Sequence, residues 1–313
     1  MENTYELIWI CPVLSQMDTE VLFHWVNLHL RDCKLKPLTS PSKLRVEYLV
    51  EPKDALKVHF KVEGQEIPHA FDLFKESIWG ELLAKIQPVT LPYAVSLQPV
   101  AQLSTPKKLV CFDMDSTLIN EEVIDEIARS QGFYKEVSEI TELAMQGKLN
   151  FRASLLKRVK LFSGMPLAQV QATISSLTLS PGAEKFISSV RSKGMRTVVV
   201  SGGFEIILRH FRKQLFLDQA YGNTLLTDDD EILTGELEEP IVDAAYKRTL
   251  VSQMKENYQA TQAETVTVGD GANDIPMMGV AGVSVSFCGK PKLSAHVNTL
   301  IFDRNLLWIN PLI

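Results

Sequence analysis

Four short apolar runs separated by helical segments constrain the fold of this 313-residue chain more than any other feature. These runs lack an alternation of polar and apolar residues, which is typical of strands buried on both faces of a parallel sheet. Because helices must cover both faces of such a sheet, we predict an α/β fold with a doubly wound, Rossmann-like core. The four runs are residues 109–112, 197–200, 265–268 and 283–287.

The first hundred residues show a different order of elements. In residues 56–62 apolar side chains alternate with Lys57, His59 and Lys61, as in a half-buried strand. The predicted order of strand, helix, two strands, helix and strand is the split ferredoxin-like arrangement, and it resembles ACT domains in element order. We therefore predict an α+β regulatory or dimerisation domain at residues 1–103 and a second domain, with the doubly wound core, at 104–313, joined by a linker at 98–106. The N-terminal strands are predicted at residues 5–13, 44–50, 56–62 and 93–97, and the helices at 21–30 and 71–86.

The segment between the first and second apolar runs is much longer than one crossover helix requires. Its apolar residues recur at helical intervals, so we predict an inserted helical cap at about residues 120–190, lying over the strand ends. A shorter segment at 225–237 contains alternating runs on either side of an acidic turn, which indicates a β-hairpin.

Composition excludes several classes of function. The chain has 32 Lys and Arg against 38 Asp and Glu, a net charge of −6 without a basic stripe, so no nucleic-acid partner is expected. No stretch has the roughly 20 apolar residues of a membrane helix and the start has no secretory pattern, so we expect no membrane association and a cytoplasmic location. Four scattered cysteines and six isolated histidines form no zinc motif, and we expect reduced thiols.

Acidic residues follow two of the apolar runs directly. Asp113 and Asp115 come after residues 109–112, and Asp270 and Asp274 come after residues 265–268. Because the carboxyl ends of parallel strands meet at one edge of a sheet, we expect these side chains to lie close together. Each pair alone has an ordinary alternative, since paired acids also occur in solvated loops and calcium sites. Together they predict an oxygen-rich site suited to Mg²⁺.

Two further elements fit the handling of phosphate. Ser201, Gly202 and Gly203 end a third apolar run and offer a hydroxyl and N–H groups just before a helix, although such a pair of glycines is also common in turns. Lys247 lies in a helical segment, where a surface lysine is the ordinary alternative. A carboxylate attacking a phosphate dianion, however, meets a repulsion of about 4 kcal/mol per charge pair at roughly 4 Å, so a cation is required. The combination favours phosphoryl transfer.

In this order and spacing, the motifs resemble those of the haloacid dehalogenase (HAD) superfamily of phosphotransferases over roughly residues 107–313. Within the superfamily they look like the phosphoserine phosphatase family, because the likeness extends to segments outside the catalytic motifs. Met114 stands where many relatives carry Phe, and we expect its side chain to point away from the site. The similar segments are residues 113–118, 124–128, 147–151, 200–204 and 268–274.

The resemblance implies covalent catalysis in two displacements. Asp113 would be the nucleophile, and Asp115 would protonate the departing oxygen and then activate water. Mg²⁺ would be held by the Asp113 carboxylate, the Asp115 backbone carbonyl and Asp270. The residues that the family places around the phosphoryl group are Ser201, Gly202, Lys247 and Asn273, with Asp274 orienting Lys247 or a metal-bound water.

The amino-acid end of the substrate has its own implied residues. By resemblance, Glu122 would bind the ammonium group and Arg158 the carboxylate, since a guanidinium can bind both oxygens. Met145 and Phe151 would close the cap over the substrate. From the residues alone, Glu122 and Arg158 are ordinary helix-surface charges, and Met145 and Phe151 are core.

The leading hypothesis is a Mg²⁺-dependent phosphatase that hydrolyses O-phospho-L-serine to L-serine and phosphate, the last step of serine biosynthesis. A second reading keeps the chemistry but uses another small phosphate ester or another acceptor. A third, an amino-acid sensor with a vestigial phosphatase domain, conflicts with the complete set of catalytic residues. The sequence leaves homodimer formation open.

Overall fold

The computed structural model describes residues 4–12, 23–24, 27, 43, 45–49, 55–63, 69–73, 75–76 and 93–313. Most strands in these ranges belong to one sheet, and two form a separate hairpin. In chain order the strands are β1 (Thr4–Pro12), β2 (Arg45–Tyr48), β3 (Ala55–Glu63), β4 (Ala94–Pro99), β5 (Leu109–Phe112), β6 (Arg196–Phe204), β7 (Gln219–Asn223), β8 (Leu225–Thr227), β9 (Leu233–Leu237), β10 (Thr265–Gly269), β11 (Val283–Phe287) and β12 (Thr299–Ile301).

The helices follow the predicted alternation with strands in the catalytic region. Short 3₁₀ helices occur at Thr173–Ser176, Ala272–Asp274 and Leu306–Leu312. Among the described residues, the labelled α-helices are α1 (Val100–Leu103), α2 (Val123–Gln131), α3 (Tyr134–Met145), α4 (Phe151–Lys160), α5 (Leu167–Ala172), α6 (Ala183–Ser192), α7 (Glu205–Gln214), α8 (Ala244–Asn257), α9 (Ile275–Met278) and α10 (Pro291–Ser294).

Six neighbouring strands of the main sheet run parallel, in the order β12-β11-β10-β5-β6-β7. All residues of β5 are buried, and they face two different hydrophobic clusters in alternation. Val110 and Phe112 belong to one cluster, and Leu109 and Cys111 belong to the other. Burial on both faces explains the unbroken apolar runs, and it confirms the predicted doubly wound α/β core.

The N-terminal strands continue this sheet. Strands β2, β3, β1 and β4 pair antiparallel in that order, and β4 then pairs antiparallel with β12 of the catalytic region. The spatial order β2-β3-β1-β4 and the antiparallel directions agree with the split ferredoxin-like arrangement that was predicted from the order of elements along the chain. The ACT likeness, the boundary near residue 103 and the regulatory or dimerising role remain predictions. The predicted helices at 21–30 and 71–86 lie largely outside the described residues.

The predicted linker at 98–106 is wrong in its first half. Gln98 is a fully buried residue of β4, and residues 100–103 form α1. A polar side chain can occupy this buried position because the Gln98 amide nitrogen donates hydrogen bonds to Ser96 Oγ at 2.8 Å and to the Leu312 carbonyl at 3.0 Å. The chain therefore passes from the N-terminal strands to β5 through ordered structure.

The segment after β5 forms a helical layer consisting of α2 to α5 and the 3₁₀ turn that follows. Helix α6, which falls within the predicted cap range, packs on the sheet instead, with Phe186 in edge-to-face contact with Phe112 at 5.9 Å between ring centroids. The predicted hairpin is present as β8 and β9. It is joined to the cap segment by two backbone hydrogen bonds between Leu233 and residues 164 and 165.

Two expectations from composition concern the membrane and the thiols. Among the described residues, no helix is both long and apolar enough to cross a membrane. In the part of the chain that the structure describes, Cys11, Cys111 and Cys288 form no disulfide, and Cys33 lies outside this part. Burial raises the pKa of the Cys11 and Cys288 thiols to about 11, which keeps both protonated at neutral pH.

Candidate active site

The carboxyl ends of β5 and β10 bring the two predicted acidic motifs together. Phe112 and Val268 are paired at the ends of these parallel strands, and the Asp113 N–H donates to the Val268 carbonyl at 2.9 Å. The chain then turns away from the sheet after both strands, which leaves Asp113 and Asp270 side by side at its edge. Both side chains are largely buried, with 3% and 7% of the residue surface exposed.

A buried lysine lies beneath these acids. Lys247 Nζ is 2.8 Å from Asp113 Oδ2 and 2.8 Å from Asp274 Oδ1. Burial alone would lower the pKa of Lys247, but the carboxylates of Asp113 and Asp274 outweigh it and raise that pKa. Lys247 is therefore a permanent cation against the predicted nucleophile, and its burial excludes the alternative of an ordinary surface lysine.

Local hydrogen bonds fix the groups around this lysine. Helix α8 begins at the cap residue Asp243, whose side chain accepts from the Tyr246 N–H at 2.9 Å, and this sets the start of the helix that carries Lys247. Asp274 Oδ2 accepts from the N–H groups of Asp270 and Gly271 at 3.2 and 3.1 Å. Asn273 Nδ2 donates to Asp113 Oδ2 at 3.3 Å.

These carboxylates can hold a metal ion. One oxygen from each of Asp113, Asp270 and Asp274 lies within 4.8 Å of the others. Asp274 uses both oxygens for Lys247 and two N–H groups. Asp113 Oδ2 also has two partners, Lys247 and Asn273, but Oδ1 accepts only from the Met114 N–H at 2.7 Å, so a cation could bind at Asp113 Oδ1 and at Asp270. Hard carboxylate oxygens without sulfur or imidazole ligands fit a hard divalent cation.

Asp115 lies on the opposite side of the same edge. Its pKa is raised well above its ordinary value, first by burial and then by the negative charges of Glu122 and Asp113. Asp115 Oδ1 is buried and has no hydrogen-bond partner among the described residues. A raised pKa favours the protonated form, which can give a proton to an oxygen placed in the pocket that Asp115 lines.

The loop at the end of β6, the strand next to β5, forms another part of the pocket wall beside Asp115. Ser201 is 1% exposed, and its Oγ accepts from the Gly203 N–H at 2.9 Å. The ring of Phe151, the first residue of α4, lies directly over Gly202, because a Cβ atom on that glycine would be 2.7 Å from Phe151 Cζ. Only a glycine allows so close an approach of the cap to the loop.

Arg158 and Glu122 also line this pocket, which encloses about 140 Å³. Helix α4 carries Arg158 and is capped by the Asn150 side chain, which accepts from the Ala153 N–H at 2.8 Å. Glu122 Oε1 accepts from the Ser116 hydroxyl at 3.0 Å. Burial and the charge of Asp270 raise the pKa of Glu122, whereas burial lowers that of Arg158.

The structure brings nearly all of the predicted site residues to this pocket. Lys247 and Asp274 lie behind Asp113 rather than in the pocket wall, and the side chain of Met145, at the end of α3, lies outside the described part of the chain. Met114 is fully buried and does not line the pocket, although its Cε lies beside Gly203 of the β6 loop. The predicted residues that line the pocket are Asp113, Asp115, Glu122, Phe151, Arg158, Ser201, Gly202, Asp270 and Asn273.

Sequence reasoning missed Lys290, which also lines the pocket. Its Nζ lies 3.5 Å from Asp270 Oδ2, and its backbone N–H donates to the Asp270 carbonyl at 2.8 Å. The signal was present, because Cys288, Gly289 and Lys290 follow the apolar strand β11 just as the acidic motifs follow β5 and β10. Applying the same strand-end rule to this fourth run would have found it.

Residues 110–279 match the family described as haloacid dehalogenase-like hydrolase, which is more than half of the chain. The chain therefore belongs to this family of hydrolases, and the resemblance inferred from its motifs is confirmed. One relative, from Methanocaldococcus jannaschii, is named phosphoserine phosphatase. It is 42% identical over 200 residues, which cover 64% of this chain and 94% of the relative.

Two solved structures extend the comparison. A phosphoserine phosphatase with an analogue of the phospho-aspartyl intermediate is 41% identical, with a TM-score of 0.63, and covers 67% of this chain and all of its own. A HAD-family hydrolase from Salmonella enterica serovar Typhi is 25% identical, with a TM-score of 0.77, and covers 97% of both chains. The second likeness includes the N-terminal strands as well as the catalytic core.

Proposed function

We propose that this hydrolase removes the phosphate of O-phospho-L-serine, with Asp113 as the nucleophile and Mg²⁺ as the cofactor. The observation that carries the proposal is that Asp113 lines the same pocket as Glu122 and Arg158, a carboxylate and a guanidinium that suit the two charged groups of an amino acid. The similarity to proteins named phosphoserine phosphatase supports the same substrate.

In the first displacement, a carboxylate oxygen of Asp113 forms a bond to phosphorus while the bond from phosphorus to the serine oxygen breaks. Asp115 gives its proton to that oxygen, and the raised pKa of Asp115 keeps the proton available. In the second displacement, Asp115 takes a proton from water as the water oxygen bonds to phosphorus. The bond to Asp113 then breaks, which restores its carboxylate and releases phosphate.

The chain supplies positive charge and hydrogen-bond donors to this reaction. Lys247 reduces the repulsion between the Asp113 carboxylate and the phosphoryl group, which is about 4 kcal/mol per charge pair at roughly 4 Å. Ser201, Gly202 and Asn273 lie where they can donate to phosphoryl oxygens. Mg²⁺, held by Asp113, the Asp115 carbonyl and Asp270, would neutralise further charge, while Asp274 keeps Lys247 in place.

Specificity comes from the other end of the pocket. Glu122 would accept hydrogen bonds from the substrate ammonium group, and Arg158 would bind the carboxylate through two parallel hydrogen bonds. The Phe151 ring over Gly202 closes the pocket against water, and Met145 is proposed to act with it. We also propose a cytoplasmic location, no nucleic-acid or membrane partner, and a regulatory or dimerising role for residues 1–103.

The test is phosphate release from L-phosphoserine, L-phosphothreonine and several sugar phosphates, with and without Mg²⁺, for the wild type and Asp113→Asn. We expect a strong, Mg²⁺-dependent preference for phosphoserine that the substitution abolishes. Activity on the other esters but not on phosphoserine would keep the nucleophile and refute the substrate. Phosphoserine turnover by Asp113→Asn would refute the nucleophile, and inactivity of the wild type on every ester would refute the phosphatase itself.

A further inference from the structure

The loop that would hold the phosphoryl group interrupts the pairing of β6 with β7. Val200 pairs with Tyr221 and Phe204 pairs with Asn223, so three residues of β6 face a single residue of β7. The loop residues Ser201, Gly202 and Gly203 therefore lack a regular ladder partner at this point. Bulges of this kind leave backbone groups unpaired and are common next to active sites.

Asn223 replaces the missing ladder bond with its side chain. It ends β7, is 1% exposed, and its Nδ2 donates to the Gly202 carbonyl at 2.8 Å. The two strands come very close here, since a Cβ atom on Gly222 would lie 3.0 Å from the Gly203 carbonyl oxygen and 2.3 Å from a methyl carbon of Leu208. The amide thus bonds the backbone of the loop itself without reaching the pocket.

The other end of the same amide bonds the segment before Lys247. Asn223 Oδ1 accepts from the Val242 N–H at 2.8 Å, and Val242 directly precedes Asp243, the cap residue of α8. The Asp243 carbonyl in turn accepts from the Lys247 N–H at 2.8 Å, within the first turn of the helix. One buried side chain therefore connects the phosphate loop to the start of the helix that carries the buried cation.

The hydrogen bond from Asn223 to the Gly202 carbonyl also affects the direction in which the Ser201 hydroxyl can donate. The carbonyl that Asn223 holds belongs to the same peptide group as the Gly203 N–H, and this N–H donates to Ser201 Oγ at 2.9 Å. Because Ser201 Oγ accepts one hydrogen bond from the loop, its own proton is free to be donated to a phosphoryl oxygen. Hydrogen bonds in such a chain also polarise one another.

We infer that Asn223 is a positioning residue for phosphoryl transfer, which fixes the Gly202–Gly203 peptide and, through it, the donor direction of Ser201. The inference rests on the proposed phosphatase activity. A purely structural role would make Asn223 one more buried amide whose loss lowers stability and nothing else. The chain offers a matched control for that role in Asn298, which donates to the Gly282 carbonyl at 2.7 Å and accepts from the Ser284 N–H at 3.0 Å, outside the candidate active site.

The experiment compares wild type, Asn223→Ala and Asn298→Ala in kcat, KM and thermal stability. It also includes the affinities for inorganic phosphate and orthovanadate, which resemble the transferred group, and for Mg²⁺, followed by calorimetry. We expect both variants to melt at lower temperature. Only Asn223→Ala should lose about tenfold or more in kcat and in orthovanadate affinity, the scale of a misplaced transition-state donor. Its Mg²⁺ affinity should stay within about twofold of wild type, since the proposed metal ligands follow β5 and β10 and are not bonded by Asn223.

The outcomes separate the inference from the proposed function. If the wild type is active and Asn223→Ala matches Asn298→Ala in kcat and orthovanadate affinity, the inference is wrong although the function stands. If the wild type hydrolyses no phosphate ester, the proposed function itself fails. Should Asn223→Ala not fold, Asn223→Ser replaces it, because the serine oxygen lies one bond short of the asparagine amide atoms and cannot keep both hydrogen bonds at 2.8 Å. Wild-type kcat and orthovanadate affinity in Asn223→Ser would equally overturn the inference.

Discussion

The ammonium group of Lys247 and the carboxylate of Asp113 are in direct contact, 2.8 Å apart and almost entirely removed from water. A second carboxylate, Asp274, lies at the same distance on the other side of Lys247. Asp113, the proposed nucleophile, is therefore paired with a cation from α8, which is far from it in the sequence. Because a buried ion pair is costly once one partner is lost, this contact affects both stability and reactivity.

Lys247→Met should be destabilised by about 3–5 kcal/mol, because it leaves buried carboxylates without their cation. We also expect kcat to fall by about 10² or more through the loss of transition-state charge stabilisation. Urea unfolding and phosphate release measure the two effects. The neighbouring Arg248 is exposed, so Arg248→Met is the control and should resemble wild type. Equal stability of the two variants would show that the buried contact is unimportant.

Arg158→Lys tests the carboxylate end of the pocket. A lysine keeps the positive charge but cannot make two parallel hydrogen bonds, so kcat/KM for phosphoserine should fall about tenfold or more. Hydrolysis of O-phosphoethanolamine, which has the ammonium group but no carboxylate, should change by less than about twofold. Arg152 lies on the same helix in an exposed pair with Glu239, and Arg152→Lys serves as the control. An equal loss on both substrates would refute carboxylate binding by Arg158.

The part of the site that could be predicted follows from one rule: residues that come directly after parallel strands converge at the carboxyl edge of the sheet. Asp113, Ser201 and Asp270 each follow an apolar run, and their convergence depends only on the parallel sheet. Asn223 could not be found this way, because its role depends on a bulge in the neighbouring strand and on hydrogen bonds at both ends of one amide. Nothing in the local pattern distinguishes it from an ordinary asparagine at the end of a strand.

The sequence pattern also could not predict that the N-terminal strands and the strands of the catalytic region form one sheet. Strand β4 and strand β12 carry Ser96 and Thr299, which are paired and whose hydroxyl groups lie 2.7 Å apart in the buried sheet. Polar residues in these short segments gave no sign of burial, and nearby prolines resembled a linker. Which strand an edge strand pairs with is decided by tertiary contacts, and hydrophobic periodicity does not encode it.

The pH dependence of kcat/KM should reflect Glu122. Burial and the charge of Asp270 raise the pKa of Glu122 above its ordinary value of 4.5. As the pH falls through that raised pKa, the carboxylate becomes neutral and no longer attracts the substrate ammonium group, so kcat/KM for phosphoserine should fall. At higher pH the group is ionised and the effect is absent. The ratio of kcat/KM for phosphoserine to that for phosphoglycolate, which has no amine, isolates this step, and a ratio independent of pH would contradict it.

The junction between β4 and β12 predicts different behaviour for two truncations. A chain of residues 104–313 leaves the edge of β12 unpaired and uncovers Ile301 and Leu312, which are buried in the full chain. A chain of residues 93–313 keeps β4 as the edge strand, together with the Gln98 bond to the Leu312 carbonyl. Both chains have an unpaired edge strand, but only the shorter one also loses the cover of Ile301 and Leu312, so it should melt at lower temperature and aggregate more readily than the longer one.

Both truncations keep every residue placed at the candidate active site, so phosphate release by the soluble fraction should persist in each. Light scattering, thermal melting and activity per folded molecule distinguish the two effects. Equal melting temperature and equal dispersion of the two chains would show that β4 is not needed to cover β12. Loss of activity in a well-folded chain of 93–313 would instead mean that residues before β4 act on the chemistry, as a regulatory domain would.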